Sequence, residues 1–317
     1  MKKKYLKALL VLSFLLLLLL FPKASLAGAK SGLLLWFNTV FPTLLPFIIV
    51  SNLIIQLNVT DYISMILYPV LHKLLGISKN ACYPVLIGMI SGYPVGAKAC
   101  SDLVMENKIS KEEGQFLLCF CNNASPMFII SYVTIQSLNL EKHSYLILGV
   151  VLLSAFISGF LFRFYRSHFH KNASLSSADA SLSIQNIEKE QTLFQLLDSA
   201  IVDAFRVQVK IGGYIILFSI LAQIVSGFHF LPSTLQFMLI GSLEITTGIG
   251  FLAATPLSAL KKIVLITALT AFGGFSSLAQ TKSVVADSGL SIRTYLIVKL
   301  LNAAIAAVMI LSIIQIL

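Results

Sequence analysis

From residue 9 onward the chain is a succession of apolar stretches, most of them close to the length that crosses a membrane. They run over roughly 9–21, 33–57, 62–75, 81–105, 114–136, 144–164, 211–227, 234–255, 263–281 and 294–316. About 20 apolar residues in helical form span the hydrocarbon of a bilayer. Of 317 residues 57% are apolar and 11% charged, against about 25% charged in a soluble domain. A soluble chain of this length could not bury that much apolar surface. These values exclude a soluble enzyme, a disordered chain, a coiled coil and a nucleic-acid-binding domain. The fold class is all-α, a polytopic membrane protein whose main partner is the lipid bilayer.

The net charge of +10 then reads as topology rather than as an affinity for nucleic acid. Lys and Arg collect in cytoplasmic loops and near anionic lipid. Lys2, Lys3, Lys4 and Lys7 precede the first apolar run, and Ala24-Ser25-Leu26-Ala27 after it resembles a signal-peptidase site. Because the rest of the chain is membrane-embedded as well, residues 1–30 are read as a retained anchor helix. Charge places Lys98, Lys108, Lys111, Arg163 and Arg166 on the cytoplasmic side. Lys261, Lys262, Lys282 and Arg293 join them if 263–281 is a hairpin. The four cysteines, Cys82, Cys100, Cys119 and Cys121, form no CxxC and sit among apolar neighbours, so they read as small buried hydrophobes.

Residues 167–192 are polar, rich in Ser and Ala, and form the one linker. They separate two distantly similar halves, 31–166 and 193–317. After the linker, Phe194, Leu197, Ile201, Phe205 and Gln208 share one helical face, and Ser199, Asp203, Arg206 and Lys210 the other. That pattern predicts an interfacial amphipathic helix that turns inward at Gly212-Gly213.

Two of the broken stretches, 81–105 and 263–281, predict re-entrant hairpins. Irregular backbone is tolerated within a membrane only where protein or a cavity covers it, and interrupted segments in corresponding places of two halves point to a transport site. In Ser91-Gly92-Tyr93-Pro94-Val95-Gly96-Ala97-Lys98, Gly92 and Gly96 free the backbone and Pro94 breaks the helix. The helix restarting there offers free N–H groups, with Lys98 one turn in, a set suited to an anion. Asn122-Asn123-Ala124-Ser125-Pro126 breaks a second apolar run with polar side chains that need partners. The counterpart tip is 273–282, with Gly274, Ser276, Ser277, Gln280 and Lys282. Glu244 is the carboxylate deep in the second half, placed to pair with Lys98 or Lys282, to bind solute, or to carry a coupling proton. No HExxH, GxGD, GxSxG, P-loop or GxGxxG is present, so neither an enzyme nor a cofactor or metal site is expected.

These motifs resemble the nucleoside-recognition, or Gate, domain family of membrane proteins, most of all its sporulation proteins of the YlbJ type. The resemblance rests on Trp36-Phe37-Asn38-Thr39-Val40-Phe41-Pro42, on Gly92-Tyr93-Pro94-Val95-Gly96-Ala97-Lys98, on Asn122-Asn123-Ala124-Ser125-Pro126 and on Gly273-Gly274-Phe275-Ser276 with Gln280. It implies about 7–9 transmembrane helices with two re-entrant hairpins, related to concentrative nucleoside transporters. By motif it assigns Gly92, Tyr93, Pro94, Gly96, Lys98, Asn122, Asn123, Ser125, Gly274, Ser276, Ser277 and Gln280 to a solute site. It further implies transport of a small anion such as dipicolinate across the outer forespore membrane, with proton or sodium as possible coupling ion. A nucleoside transporter and a non-transporting scaffold or sporulation assembly factor are the alternatives.

Overall fold

The computed structural model describes residues 2–57, 59–169, 192–228, 230 and 233–316. The linker expected at 167–192 thus falls almost wholly outside the described residues. Everything described is helix, turn or short connection. Among the described residues, five helical stretches are long and apolar enough to cross a membrane: Pro22–Gln56, Glu141–Tyr165, Leu193–Ser226, Ala259–Val284 and Ile292–Gln315.

The chain starts with α1 (Lys2–Leu20), whose apolar side chains are nearly all exposed, as suits a helix facing lipid. A break at Phe21 leads to α2 (Pro22–Leu35) and α3 (Phe41–Gln56), joined through a wider π-helical turn at Trp36–Val40. The long helix therefore starts at Pro22 and runs without interruption through residue 31, where the first half was expected to begin. It packs along α9 (Leu193–Ser226) in the opposite direction: Gly28 meets Ile220, Trp36 meets Gly212, and Gln56 meets Ser199.

That pairing corrects the reading of residues 193–213. The helix does not turn inward at Gly212-Gly213 but continues straight through them. A Cβ at Gly212 would come within 2.7 Å of the Trp36 ring, so the glycine makes room for the indole. The buried face of α9 is Ala200, Ala204, Gln208 and Ile211, whereas Phe194 and Phe205 are exposed. The expected Asp203–Arg206 pair forms at 3.0 Å.

After α4 (Val59–Leu75) come α5 (Cys82–Ser91) and α6 (Val95–Met105), which fold back on each other as a hairpin. Their legs approach so closely that a Cβ at Gly96 would lie 2.8 Å from the Gly88 Cα. Then α7 (Lys111–Cys121) unwinds over 122–125, and the helix resumes into the π-helical segment Phe128–Ser137. The first half ends with α8 (Ser144–Phe169).

The second half repeats this order after α9, though with the breaks exchanged relative to expectation. The hairpin is α10 (Ser233–Leu243) with α11 (Ile245–Ala254), turning at Glu244. A Cβ at Gly248 would lie 2.4 Å from the Gly241 Cα, the same close crossing as at Gly88 and Gly96. The stretch 263–281, expected to be a hairpin, is instead a broken spanning helix. Its parts are α12 (Ala259–Phe272) and α13 (Gly274–Val284), whose legs do not pack on each other. The final helix, α14 (Ile292–Ile316), packs against α12 and α8.

Relocating the second hairpin resolves its orientation. Hairpin α5/α6 has its base beside the N-terminal end of α9, where Lys98, Asp102, Asp203 and Arg206 line one vestibule. Hairpin α10/α11 has its base at the other end of α9, where Gln236 donates to the carbonyls of Val225 and Ser226. The two hairpins enter from opposite ends, as an inverted repeat requires. Both ends of α4 lie at the vestibule end: the chain enters it there from α3, and at its exit Arg163, near the end of α8, donates to the Gly76 carbonyl. It therefore does not cross. Lys261 and Lys262 move to the far end, where Lys262 donates to the Ala253 carbonyl. Lys108, Lys111, Arg163, Lys282 and Arg293 remain at the vestibule end, the charge pattern expected of a cytoplasmic face.

Candidate functional site

The tips and breaks meet at the centre of the bundle. At the first hairpin the Tyr93–Pro94 peptide is cis, and Gly92 has φ +74°. A Cβ there would lie 2.6 Å from the Ser125 nitrogen, so only glycine lets this tip seat against the break in the neighbouring helix. The Tyr93 N–H donates to the Asn123 carbonyl at 2.8 Å, which fastens the tip to the break. Gly274, with φ +78°, does the reverse job in the second half. There it is the broken helix that presents the glycine, and a Cβ on it would lie 3.3 Å from the Ile245 nitrogen at the second tip.

The two asparagines are buried clamps. Asn122 donates through Nδ2 to Thr281 Oγ1 at 2.9 Å and to the Tyr295 hydroxyl at 2.8 Å, and its Oδ1 accepts from the Ala97 N–H at 3.2 Å. It ties the first break to the first hairpin and to the second half. Asn123 donates to the Phe120 carbonyl at 2.6 Å, and its Oδ1 accepts from Lys299 Nζ at 2.6 Å. These contacts satisfy backbone groups that the break frees, as a membrane interior demands.

Between the hairpin tips and the helix breaks lies a cavity of about 30 Å3. It is lined by Ser91, Tyr93 and Ser125 of the first half, and by Glu244, Thr246, Ser276, Ser277 and Gln280 of the second. Val40, Leu44, Ile211 and Ile215 of the two long helices close it over. Glu244 caps α11: its carboxylate accepts from the Thr247 N–H at 2.6 Å and from the Thr246 hydroxyl at 3.2 Å. Among the described residues no cation pairs with it. Lys98 instead pairs with Asp102 at 2.5 Å, one turn along its own helix and half-exposed. Lys282 is exposed on α13. The charge pairs that the sequence offered for Glu244 do not form, because Lys98 is held by Asp102 on its own helix and Lys282 is exposed.

A second, wider cavity of about 520 Å3 adjoins the first, sharing Ile211 and Gln280. Pro94, Lys98 and Asp102 of the first half line it, together with Asp203, Arg206 and Lys210 of α9. Its three cations outnumber its two carboxylates. Its volume is that of a small-molecule site, whereas the central cavity holds little more than a water or two.

Of the expected site residues, Tyr93, Ser125, Ser276, Ser277, Gln280 and Glu244 line the central cavity, and Pro94, Lys98 and Gln280 line the vestibule. Gly92, Gly96, Gly274, Asn122 and Asn123 shape the tips and breaks around them. Sequence reasoning missed Lys299, which is only 2% exposed. The available signal was the stripe Tyr295, Lys299, Asn302, Ala306 and Ile310, which recurs at helical spacing and is buried throughout. The four cysteines are buried and none is in a disulfide, with the Cys100 and Cys121 sulfurs 3.7 Å apart.

Comparison with known proteins agrees with the motifs. No solved structure matches the chain. Over 313 aligned residues the chain is 28% identical to the sporulation integral membrane protein YlbJ of Bacillus subtilis (strain 168), covering 90% of this chain and 77% of that relative. Residues 37–141, which hold the first hairpin and the first break, match the Gate family of nucleoside recognition, and the chain is a multi-pass membrane protein similar over that stretch to this family.

Proposed function

We propose that this chain is a transporter that moves a small anionic, dipicolinate-like solute across a membrane, without enzymatic activity of its own. One observation carries the reading: two hairpin tips from opposite ends and two helix breaks converge on one small cavity that Glu244 and Gln280 line, and it adjoins a vestibule with a cationic excess. Irregular backbone at that depth is costly unless protein buries it or it lines a cavity, and here the tips and breaks line one. Lys98, Arg206 and Lys210 give the vestibule the sign that draws an anion, since such fields raise the local concentration of the opposite charge. Resemblance to a sporulation protein supports the outer forespore membrane as the place of action.

A scaffold is the second reading. It is favoured by the close crossings of Gly88 with Gly96 and of Gly241 with Gly248, which hold hairpin legs together whatever passes between them. Uptake of dipicolinate into liposomes that carry the purified protein separates the two. Transport predicts accumulation above protein-free liposomes, reduced at least tenfold in Lys98→Ala and Asn123→Ala. No uptake of dipicolinate or of any other small anion would favour the scaffold.

A further inference from the structure

We infer that a groove at the end of the molecule away from the vestibule holds one anionic phospholipid, with an acyl chain inside it and the phosphate at Lys142 and Lys261. The groove has a volume of about 210 Å3. The short 3-10 turn Glu141–His143 and α8 form one side, and α12 and α14 the other, so it lies where the first half meets the second. Its deepest lining is Ile147 and Ile310, 1% and 0% exposed, with Ile263 and Ile314 half-buried beside them. Exposed His143 is the one polar side chain among those that line it.

An apolar cavity of about 150 Å3 walled by Leu, Ile and Phe already stays dry and takes in apolar guests. This groove is larger, and its isoleucines offer water no partner. Left empty, its walls forfeit dispersion contacts. In a chain that crosses a membrane, the apolar material at hand is the lipid acyl chain.

The mouth selects the headgroup. Lys142 precedes His143 in the turn, and Lys261 stands two residues before Ile263 in the first turn of α12. Both lysines are exposed, and among the described residues neither has a carboxylate partner. Lys262 is already engaged with the Ala253 carbonyl. Glu141, in the same turn, sets one carboxylate against the two lysines. Cations at this end run against the usual placing of lysine on the cytoplasmic side. A lipid phosphate gives them a counter-charge, and each lysine near an anionic headgroup adds about fivefold in affinity. A neutral lipid would satisfy only the isoleucines, and free phosphate only the lysines.

The probes are phosphatidylglycerol and phosphatidylcholine with the same acyl chains, added to the delipidated full-length protein in detergent at low salt. The thermal unfolding midpoint is expected to rise by on the order of 5 °C with phosphatidylglycerol at a hundred times its dissociation constant. Phosphatidylcholine should bind at least tenfold more weakly, and inorganic phosphate should leave the midpoint unchanged. Lys142→Gln with Lys261→Gln should abolish the preference between the two lipids. Both side chains are exposed, so the lipid-free midpoint should stay where it is and the result does not depend on refolding. Ile263→Trp fills the groove from α12 and should weaken both lipids at least tenfold. Equal affinities for the two lipids, a preference that survives the double lysine variant, or a response to inorganic phosphate equal to that of phosphatidylglycerol overturns the proposal. So does undiminished lipid binding in Ile263→Trp, or a lipid-free dimer that Ile263→Trp dissociates, since a second copy then fills the groove. None of these readouts depends on transport.

Discussion

Lys299 donates its ammonium proton to Asn123 Oδ1 at 2.6 Å, across 176 residues of sequence. The amine lies 5.7 Å from the centre of the Tyr295 ring, and among the described residues no carboxylate pairs with it. The last helix of the chain is thus pinned to the first break by a buried cation and a neutral amide. Such an arrangement depends on both partners, because a charge left alone in the interior costs more than the bond itself contributes.

Removing the amide should therefore be worse than removing both groups. Asn123→Ala is expected to destabilise the protein by about 3 kcal/mol, since it strands the Lys299 ammonium. The double variant Asn123→Leu with Lys299→Met should recover at least half of that. Thermal unfolding in detergent measures both. A double variant less stable than Asn123→Ala would show that the lysine contributes on its own account.

The hairpin crossings depend on absent side chains. Gly248→Ala places a methyl group 2.4 Å from the Gly241 Cα and should cost about 1–3 kcal/mol through overpacking. Gly213→Ala and Gly149→Ala meet nothing within 4 Å and lie inside helices, so they should be neutral or stabilise by up to about 1 kcal/mol. Unfolding midpoints of the three variants order these effects. Equal midpoints would contradict the close packing of α10 on α11.

Lys98 sits on the surface of the vestibule, paired with Asp102 at helical spacing. Such exposed pairs contribute about 0–1 kcal/mol, so Lys98→Ala should leave stability nearly unchanged. Its effect should fall on uptake. Initial rates of anion uptake should drop as salt rises from 0.01 M to 0.15 M on the order of a Debye-screening response, and Lys98→Glu should flatten that dependence. A salt dependence identical in wild type and Lys98→Glu would remove the residue from the entry route.

The placement of the second hairpin gives a topological test. Glu106 follows α6 at the vestibule end, and Lys261 opens α12 at the far end. Single cysteines introduced as Glu106→Cys and Lys261→Cys should react with a membrane-impermeant maleimide from opposite faces. The four native cysteines, all buried, should stay unlabelled. Labelling of both positions from one face would restore a hairpin at 263–281.

Much of this protein is determined by its sequence alone. The apolar stretches dictate a membrane fold, and the glycines and prolines at 92–96 and 273–274 together with the polar run at 122–125 mark where backbone must break, because those residues act on their own φ and ψ and on their own hydrogen bonds. The burial of the cysteines and the pairing of Asp203 with Arg206 are likewise local. What the tertiary structure alone decided is how each break is used. A broken helix and a hairpin have the same local chemistry. The legs fold back only where a facing surface admits them, as Gly248 does against Gly241 across Glu244. The same holds for the charges. Lys98 and Lys299 both interrupt apolar helices, yet one reaches out to a vestibule while the other is drawn inward by an amide at a distant break, and that choice rests on which partner the packing brings within reach.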